Sequence, residues 1–357
     1  MMTYFYHKPL IIMALISTAL TVGAPQALAT ISCAGYLPSS YFDKVEAQPP
    51  FPAKLVLQPN GNYKLVQQNK VLAIDLENPE IFAKRVIIAQ KSGKFGVINR
   101  AGKVIVPFAF DSLTTDLDIA TSFVVSLQKN GQTYFGAIDR NGNWIYPSSQ
   151  STPKSAVKFP NHVIQKSTQA LITHAHYDSR ADRDYFLVKK RSKLGLIDDK
   201  GRAVVPLKYD SLQPLNICMG KPLLLTATAA QKTALISQNH KTIVPAAKHQ
   251  GFEMLNQDIS PMLLLKNRLD SKGRPISSQL IEESGKIRLT STAPITKLLY
   301  HQLYQFTQNK KIGFINSRGN IVLKPQFDKI EDNGDSVWVL KNGKKMPLSD
   351  FIDLDRY

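Results

Sequence analysis

The residues with the clearest capacity for chemistry are His174, His176 and Asp178, which form a His-x-His-x-Asp sequence near the middle of the chain. Two imidazoles and one carboxylate at this spacing are suitable ligands for zinc. Further side chains that could complete a metal site lie downstream: Cys218, His240, His249 and His301. The triplet is therefore the candidate catalytic or metal site, and the elements around it must decide between these roles.

The triplet is similar to the zinc motif of metallo-β-lactamase-type hydrolases, and this resemblance implies a zinc-dependent hydrolase. Such enzymes require a layered α/β sandwich and a glycine-bearing helix after the motif. Here Asp178 is followed by a polar segment, residues 179–184, and then by an apolar β-strand pattern. We therefore expect polar residues in an exposed insertion, no enzymatic activity and no cofactor, with the hydrolase as the alternative.

The surrounding elements come from a repeat, which occupies residues 93–113, 192–212 and 310–330. Each copy starts with a short apolar strand that contains a glycine, and a polar turn closed by a second glycine follows. Glycine suits such turns because it accepts positive φ at no steric cost. A β-branched run then leads to a proline, which suits a strand end because it lacks an N–H group. Each copy thus predicts a hairpin plus a bend. The turn glycines are Gly102, Gly201 and Gly319.

Each copy closes with an aromatic residue followed by an aspartate, and these aspartates are Asp111, Asp210 and Asp328. An acid that recurs once per unit could pass for a repeated catalyst. At a turn, however, aspartate accepts hydrogen bonds from backbone N–H groups. We predict that these three carboxylates are structural.

This pattern resembles the WG-repeat family, whose unit has an aromatic-Gly strand, an Asp-x-x-Gly turn, an apolar strand ending in proline and an aromatic-Asp pair. Phe95, Phe135, Leu194 and Ile312 stand where the family has tryptophan. The resemblance implies an all-β binding or scaffold module and no particular activity.

The spacing of the strand glycine predicts the architecture. Gly96 to Gly136, and Gly195 to Ala234, are each separated by about 40 residues, which is the range of β-propeller blades. We expect an all-β, propeller-like ring of about six or seven units, with an open β-solenoid as the alternative. Residues 148–184 form a predicted insertion. The strand 337–340 is expected to pair with the incomplete first unit and so close the ring.

The N-terminus reads as a secretory signal peptide, residues 1–29. Lys8 supplies the positive charge, and residues 10–23 form an apolar stretch too short for a membrane span. Ala27 and Ala29 fit the small-x-small cleavage rule, so the exported chain would begin at Thr30. We predict a periplasmic or secreted protein with no transmembrane span after cleavage. A retained N-terminal anchor and lipid attachment at Cys33 are the alternatives.

Two cysteines remain after the predicted cleavage, Cys33 and Cys218. An even number of cysteines in an exported protein permits one disulfide. Two unrelated thiols are the other possibility.

The charge is strongly positive, with 45 Lys and Arg against 27 Asp and Glu and a net charge of +18. In an exported protein this favours anionic partners such as lipopolysaccharide, anionic lipid or wall polymer. Nucleic acid is not expected, because an exported protein seldom meets it. The predicted function is a non-enzymatic binding or scaffold protein of the bacterial envelope, with an unidentified protein partner or a merely soluble basic surface as alternatives. The predicted contacts are Lys154, Lys158, Lys166, Lys189 and Lys190.

Overall fold

The protein is described from a computed structural model over residues 49–115, 121–146, 171–178, 181, 183–216, 220–334 and 336–357. Within these ranges the chain consists of antiparallel strands and two short 3-10 helices, Leu348–Asp350 and Leu354–Arg356. The strands form seven small sheets, numbered here 1 to 7 in chain order. The predicted all-β repeat fold is confirmed.

Sheet 1 has six strands. The first half of its long third strand pairs with β2, and the second half pairs with β4. Its strands are β1 (Lys54–Leu57), β2 (Tyr63–Gln67), β3 (Lys70–Phe82), β4 (Val86–Lys91), β5 (Lys94–Asn99) and β6 (Val104–Phe110).

Sheets 2 to 6 are four-stranded antiparallel meanders, the form of a propeller blade. Sheet 2 contains β7 (Ser112–Thr115), β8 (Ser122–Lys129), β9 (Gln132–Asp139) and β10 (Trp144–Tyr146). Sheet 3 contains β11 (Leu171–Asp178), β12 (Arg183–Lys190), β13 (Lys193–Asp198) and β14 (Ala203–Tyr209). Sheet 4 contains β15 (Ser211–Pro214), β16 (Leu224–Ala229), β17 (Lys232–Ser237) and β18 (Thr242–Ala247).

The remaining sheets continue this order. Sheet 5 contains β19 (Gln250–Asn256), β20 (Leu263–Leu269), β21 (Pro275–Glu282) and β22 (Ile287–Ser291). Sheet 6 contains β23 (Thr296–Lys297), β24 (Leu303–Gln308), β25 (Lys311–Asn316) and β26 (Ile321–Phe327). Sheet 7 has three strands, β27 (Lys329–Asp332), β28 (Val337–Lys341) and β29 (Lys344–Pro347).

The repeat proline lies inside a strand and not at its end, which corrects the sequence prediction. In sheet 3, Leu194 pairs with Tyr209 and Leu196 with Val205, so β14 makes a bulge opposite Gly195, and this bulge contains Pro206. Sheets 1 and 6 show the same register shift, and sheet 4 shows a shift that is one residue smaller at the corresponding place. A bulge is one of the few places where a sheet accepts proline, because the missing N–H is not required there.

The turn glycines adopt the predicted conformation, with φ of +75° at Gly102, +72° at Gly201 and +73° at Gly319. In the first of these turns Asn99 begins the turn, and its side-chain oxygen accepts the N–H groups of Ala101 and Lys103, each at 3.0 Å. Asp139, Asp198, Asp270 and Asn316 repeat this arrangement in later sheets. The prediction of glycine turns at positive φ is confirmed.

The core is divided into clusters that fill the spaces between consecutive sheets. Phe123 lies in the cluster between sheets 1 and 2, Phe186 in the one between sheets 2 and 3, and Phe306 in the one between sheets 5 and 6. All three rings are fully buried, and burial of such a ring contributes about 1.5–3 kcal/mol. Each unit therefore depends on its neighbour for stability, as in other repeat proteins.

The expected closing pairing is wrong. β28, which contains Trp338, pairs with β27 and β29 in a sheet of its own. The first strands likewise pair among themselves, β1 with β2 and β2 with β3. Both ends of the repeat array find partners locally, and a local hairpin forms at a smaller loop-closure cost than a pairing between the two ends.

Candidate functional surface at the hairpin tips

A Lys–Asp ion pair recurs in the three units whose sequences match the repeat best. Lys94 contacts Asp111, Lys193 contacts Asp210, and Lys311 contacts Asp328. The lysine begins the inner strand of one sheet, and the aspartate follows the last strand of the same sheet. The pair thereby fixes the exit of each sheet against its own hairpin.

The second oxygen of each aspartate reaches the next sheet. Asp111 accepts the backbone N–H of Gln128 at 2.7 Å, and Asp210 accepts that of Ala230 at 2.9 Å. Asp328 accepts the N–H of Asn342 at 3.0 Å. The predicted structural role of these carboxylates is confirmed, because each one joins two consecutive hairpins.

These contacts lower the pKa of all three aspartates. For Asp111 the largest cause is the N–H of Gln128, followed by Lys94. For Asp210 and Asp328 the paired lysine is the largest cause, followed by the backbone N–H from the next sheet. Hydrogen bonds and cations both favour the ionised carboxylate, so these groups stay charged in the folded protein well below neutral pH.

Other residues make the same connection in the less regular units. Ser291 accepts the N–H of Thr307 at 2.8 Å between sheets 5 and 6. Between sheets 4 and 5, Gln250 at the start of β19 donates a side-chain N–H to the carbonyl of Thr233 in β17 at 2.8 Å. The hairpins therefore lie side by side from sheet 1 to sheet 2 and from sheet 3 through sheet 7. We call the hairpin ends the tip row: residues 91–94, 129–132, 190–193, 229–232, 269–275, 308–311 and 341–344.

The tip row is basic in every sheet. Its cations are Lys91, Lys94, Lys129, Lys190, Arg191, Lys193, Lys232, Lys272, Arg274, Lys310, Lys311, Lys341 and Lys344. Asp270 is the sole acid within these ranges, and it pairs with Arg274 at 2.8 Å. Four carboxylates contact the tips from adjoining segments: Glu77, Asp111, Asp210 and Asp328. The turns at the other ends of the same strands are more balanced, since they contain several carboxylates: Asp139, Asp198, Asp199, Glu282 and Glu283. Positive charge is thus concentrated at one end of the sheets.

Two of the predicted contact residues belong to this region. Lys189 and Lys190 end β12 beside the sheet 3 tip, and both are exposed. Lys154, Lys158 and Lys166 lie outside the described residues. Arg191 and Lys193 closely follow Lys189 and Lys190 in the sequence. Sequence reasoning missed the tip cations of the other sheets because they are scattered along the chain. The repeat period was the signal that could have aligned them.

The His-x-His-x-Asp residues are not gathered around one point. They lie in β11, the first strand of sheet 3, and the register shifts between His174 and His176. His174 Nε2 lies 2.8 Å from an oxygen of Asp184, whereas His176 Nε2 lies 3.0 Å from the carbonyl of Lys221 in the neighbouring sheet. Asp178 accepts a hydrogen bond from Gln238 Nε2 at 3.3 Å.

The expectation of an exposed insertion is wrong for this triplet. His176 and Asp178 are each only 3% exposed, because β11 pairs along its length with β12. The predicted insertion, residues 148–184, therefore includes one full strand of a sheet. Within the described ranges, no group of three His, Cys, Asp or Glu side chains is placed to hold a metal ion.

The predicted disulfide and leader cannot be placed. Cys33, Cys218, Ala27 and Ala29 all lie outside the described residues. Among the residues that the structure does describe, no helix is long and apolar enough to span a membrane.

Comparison with known proteins agrees with the repeat assignment. The family model for the WG containing repeat matches residues 95–115, 195–216 and 312–344. No curated protein matches the sequence.

Solved structures resemble the chain at low identity. The dihydro-heme d1 dehydrogenase NirN matches with 10% identity over 84% of this chain and 74% of its own, at a TM-score of 0.31. A putative TolB from Agrobacterium tumefaciens matches with 8% identity over 63% of this chain and 85% of its own, at 0.28. The β-propeller domain of the Trilobed protease from Pyrococcus furiosus matches with 10% identity over 84% and 95%, at 0.26.

Proposed function

We propose that this chain, which carries the WG containing repeat at three positions, is an exported, non-enzymatic binding protein whose tip row holds an anionic component of the bacterial envelope. The observation that carries this proposal is the recurrence of exposed cations at the same hairpin of successive sheets. The proposal combines that surface with the predicted signal peptide and the net charge of +18.

The tip row suits an extended anion better than a small one. Its exposed cations that are not part of the Lys–Asp pairs come from different sheets: Lys129, Lys190, Lys232, Lys310 and Lys344. The aspartate links hold neighbouring hairpins together, so these cations are presented by a fixed scaffold. A polymer or a membrane surface that bears many negative groups can contact several of them at once, and such multivalent contacts strengthen binding without any single tight site.

The contacts are electrostatic and exposed, so they must weaken with salt. The Debye length falls from about 10 Å at 0.1 M to about 3 Å at 1 M. Each lysine close to an anionic membrane surface contributes about 1 kcal/mol. Removal of four lysines therefore lowers the affinity by up to about a thousandfold.

The test compares two variants with the same change in net charge. In the tip variant, Lys129, Lys190, Lys232 and Lys310 are replaced by Gln. In the control variant, lysines of the opposite turns are replaced by Gln: Lys103, Lys200, Lys241 and Lys286. Binding is measured by co-sedimentation with phosphatidylglycerol vesicles and with lipopolysaccharide, and phosphatidylcholine vesicles serve as the neutral surface.

We expect the wild type and the control variant to bind the anionic surfaces at low salt, and the tip variant to lose most of this binding. Retention of all three proteins to the same extent would show that the tip row holds no anionic partner. Equal binding to phosphatidylcholine would contradict the electrostatic basis.

A further inference from the structure

A second feature lies between sheets 4 and 5, where a cavity of about 460 Å³ opens beside the tip row. Its volume falls in the range of small-molecule sites. The lining is polar, and its cations include Lys248, Lys266 and Arg268. It contains no Asp or Glu residue.

The strand register arranges the polar side chains in two rows. Lys266 pairs across the strands with Gln279, and Gln279 with Thr290. In the next row, Arg268 pairs with Ser277 and with Gln250. Residues that are directly opposite each other in antiparallel strands lie on the same face of the sheet. Cations and hydrogen-bonding groups therefore alternate on one wall.

The cavity exists because sheet 5 departs from the repeat. Gln279 occupies the position at which sheets 1, 3 and 6 have the strand glycine. Gln279 and Gly96, for example, each lie the same number of residues before the turn that ends their strand. In sheet 1 that position is covered, because a Cβ on Gly96 would lie 2.7 Å from the ring of Phe108. β22 has no proline and no aromatic residue that could cover Gln279 in this way.

The apolar packing between sheets 4 and 5 ends below the cavity. Leu264 and Ile281, one row further from the tips on the same face as Lys266 and Gln279, belong to the buried cluster that joins the two sheets. From that row toward the tips the same face is polar in β20, β21 and β22, and Phe252 of β19, opposite Lys266, is its last buried apolar residue. A repeat protein that needed only stability at this position would continue the apolar packing, so the polar wall calls for another explanation.

The cations of the cavity are not neutralised by carboxylates of the described residues. Asp270 lies two residues beyond Arg268 but is paired with Arg274. Its carboxylate accepts hydrogen bonds from Nη2 and Nε of Arg274, each at 2.8 Å. Gln250 is held by its side-chain N–H groups, which donate to the carbonyls of Thr233 and Pro245 at 2.8 and 3.0 Å. One wall is thus fixed, and the cations beside it are available to a ligand.

We propose that this cavity binds a small polyhydroxylated anion, namely a sugar that carries a phosphate or a carboxylate group. Arg268 and Lys266 take the anionic group, since a guanidinium donates paired hydrogen bonds to either oxyanion. Ser277, Gln279 and Thr290 hydrogen-bond the hydroxyl groups. This site is distinct from the tip row and does not depend on the proposed envelope partner.

The test is isothermal titration of the exported protein with glucose 6-phosphate, glucuronate, glucose and inorganic phosphate at low salt. We expect one site per chain for glucose 6-phosphate, glucuronate or both, which identifies the anionic group. Glucose is expected not to bind, and inorganic phosphate is expected to bind at least about tenfold more weakly than the sugar phosphate.

Two double variants locate the site. Lys266→Gln with Arg268→Gln should weaken binding of the charged sugar by about tenfold or more. Lys241→Gln with Lys286→Gln removes the same charge from the opposite turns of the same two sheets and should leave binding unchanged. Arg268→Lys, which keeps the charge, should retain part of the affinity and guards against a variant that fails to fold.

Three results would overturn the assignment. The first is the absence of binding heat with either charged sugar. The second is equal affinity for inorganic phosphate and glucose 6-phosphate. The third is unchanged binding in a folded Lys266→Gln, Arg268→Gln variant. The tip variant should bind the sugar normally, so failure of the cavity proposal is distinguishable from failure of the envelope proposal.

Discussion

The strand glycine of the repeat provides a sharp test of how the units are built. Gly195 lies opposite the bulge of β14 and has an ordinary φ. A Cβ at this position would lie 2.7 Å from the carbonyl oxygen of Val205 and 2.9 Å from the amide nitrogen of Leu207. Both atoms belong to the backbone, so neither can rotate away. The replacement Gly195→Ala must therefore displace the bulge itself.

The expected magnitude follows from two opposing effects. Forcing an extra carbon into a closely packed site costs about 1–3 kcal/mol. Alanine also restricts the unfolded chain, which returns about 0.4–1 kcal/mol. The steric effect is the larger one, so Gly195→Ala should destabilise the protein by about 1–2 kcal/mol.

Gly251 offers a matched control in β19. It is also a strand residue of ordinary φ, but the nearest atoms to an added Cβ belong to the Leu269 side chain, the closest at 3.3 Å. This side chain can move by a few tenths of an ångström. Gly251→Ala should therefore be neutral or stabilise by up to about 1 kcal/mol.

The assay is urea unfolding of both variants and the wild type, followed by circular dichroism. We expect the midpoint to fall for Gly195→Ala and to stay or rise for Gly251→Ala, at unchanged slope. If Gly195→Ala is as stable as Gly251→Ala, the bulge does not require glycine and the explanation of the repeat is wrong.

Three further predictions follow from the ion pairs, the cysteines and the leader. Folding lowers the pKa values of the paired aspartates. Their contribution to folding stability is therefore present above the unfolded pKa of about 4 and is lost as pH falls through the folded values. The urea midpoint should drop below about pH 4, and this drop should be smaller when Asn replaces Asp111, Asp210 and Asp328. Cys33 and Cys218 should form a disulfide in exported protein, and two free thiols by mass spectrometry would exclude it. N-terminal sequencing of that protein should begin at Thr30, whereas an intact Met1 or a lipidated Cys33 would contradict cleavage after Ala29.

Much of the unit was readable from the sequence because it depends on local geometry. Gly102 has to accept positive φ in a tight turn, and its place after Asn99 is visible without a structure. Asp111 follows an aromatic residue at a strand end, a turn position that predicts a structural carboxylate, whereas its backbone N–H donor, Gln128, is supplied by the next sheet. These features recur because every unit requires the same local geometry at its turn and strand end.

The tertiary structure decided what depends on contacts between units. His176 and Asp178 are polar and lie in the segment that interrupts the repeat period, so the sequence suggested exposure. Pairing with β12 and contacts to sheet 4 bury them instead. The strand of Trp338 was predicted to pair with the first unit and close a ring, but it pairs with β27 and β29, which are nearer in sequence.

The two binding surfaces depend on the tertiary structure for the same reason. Lys190 and Lys232 are far apart in sequence and lie on neighbouring hairpins that Asp210 ties together. Arg268 and Gln279 can be recognised as parts of one site only from the strand register, which places them on one wall of the cavity. The sequence by itself determined the shape of each unit, because that shape depends on residues close together in the chain. The stacking of the units decided which side chains are buried and which ones act together.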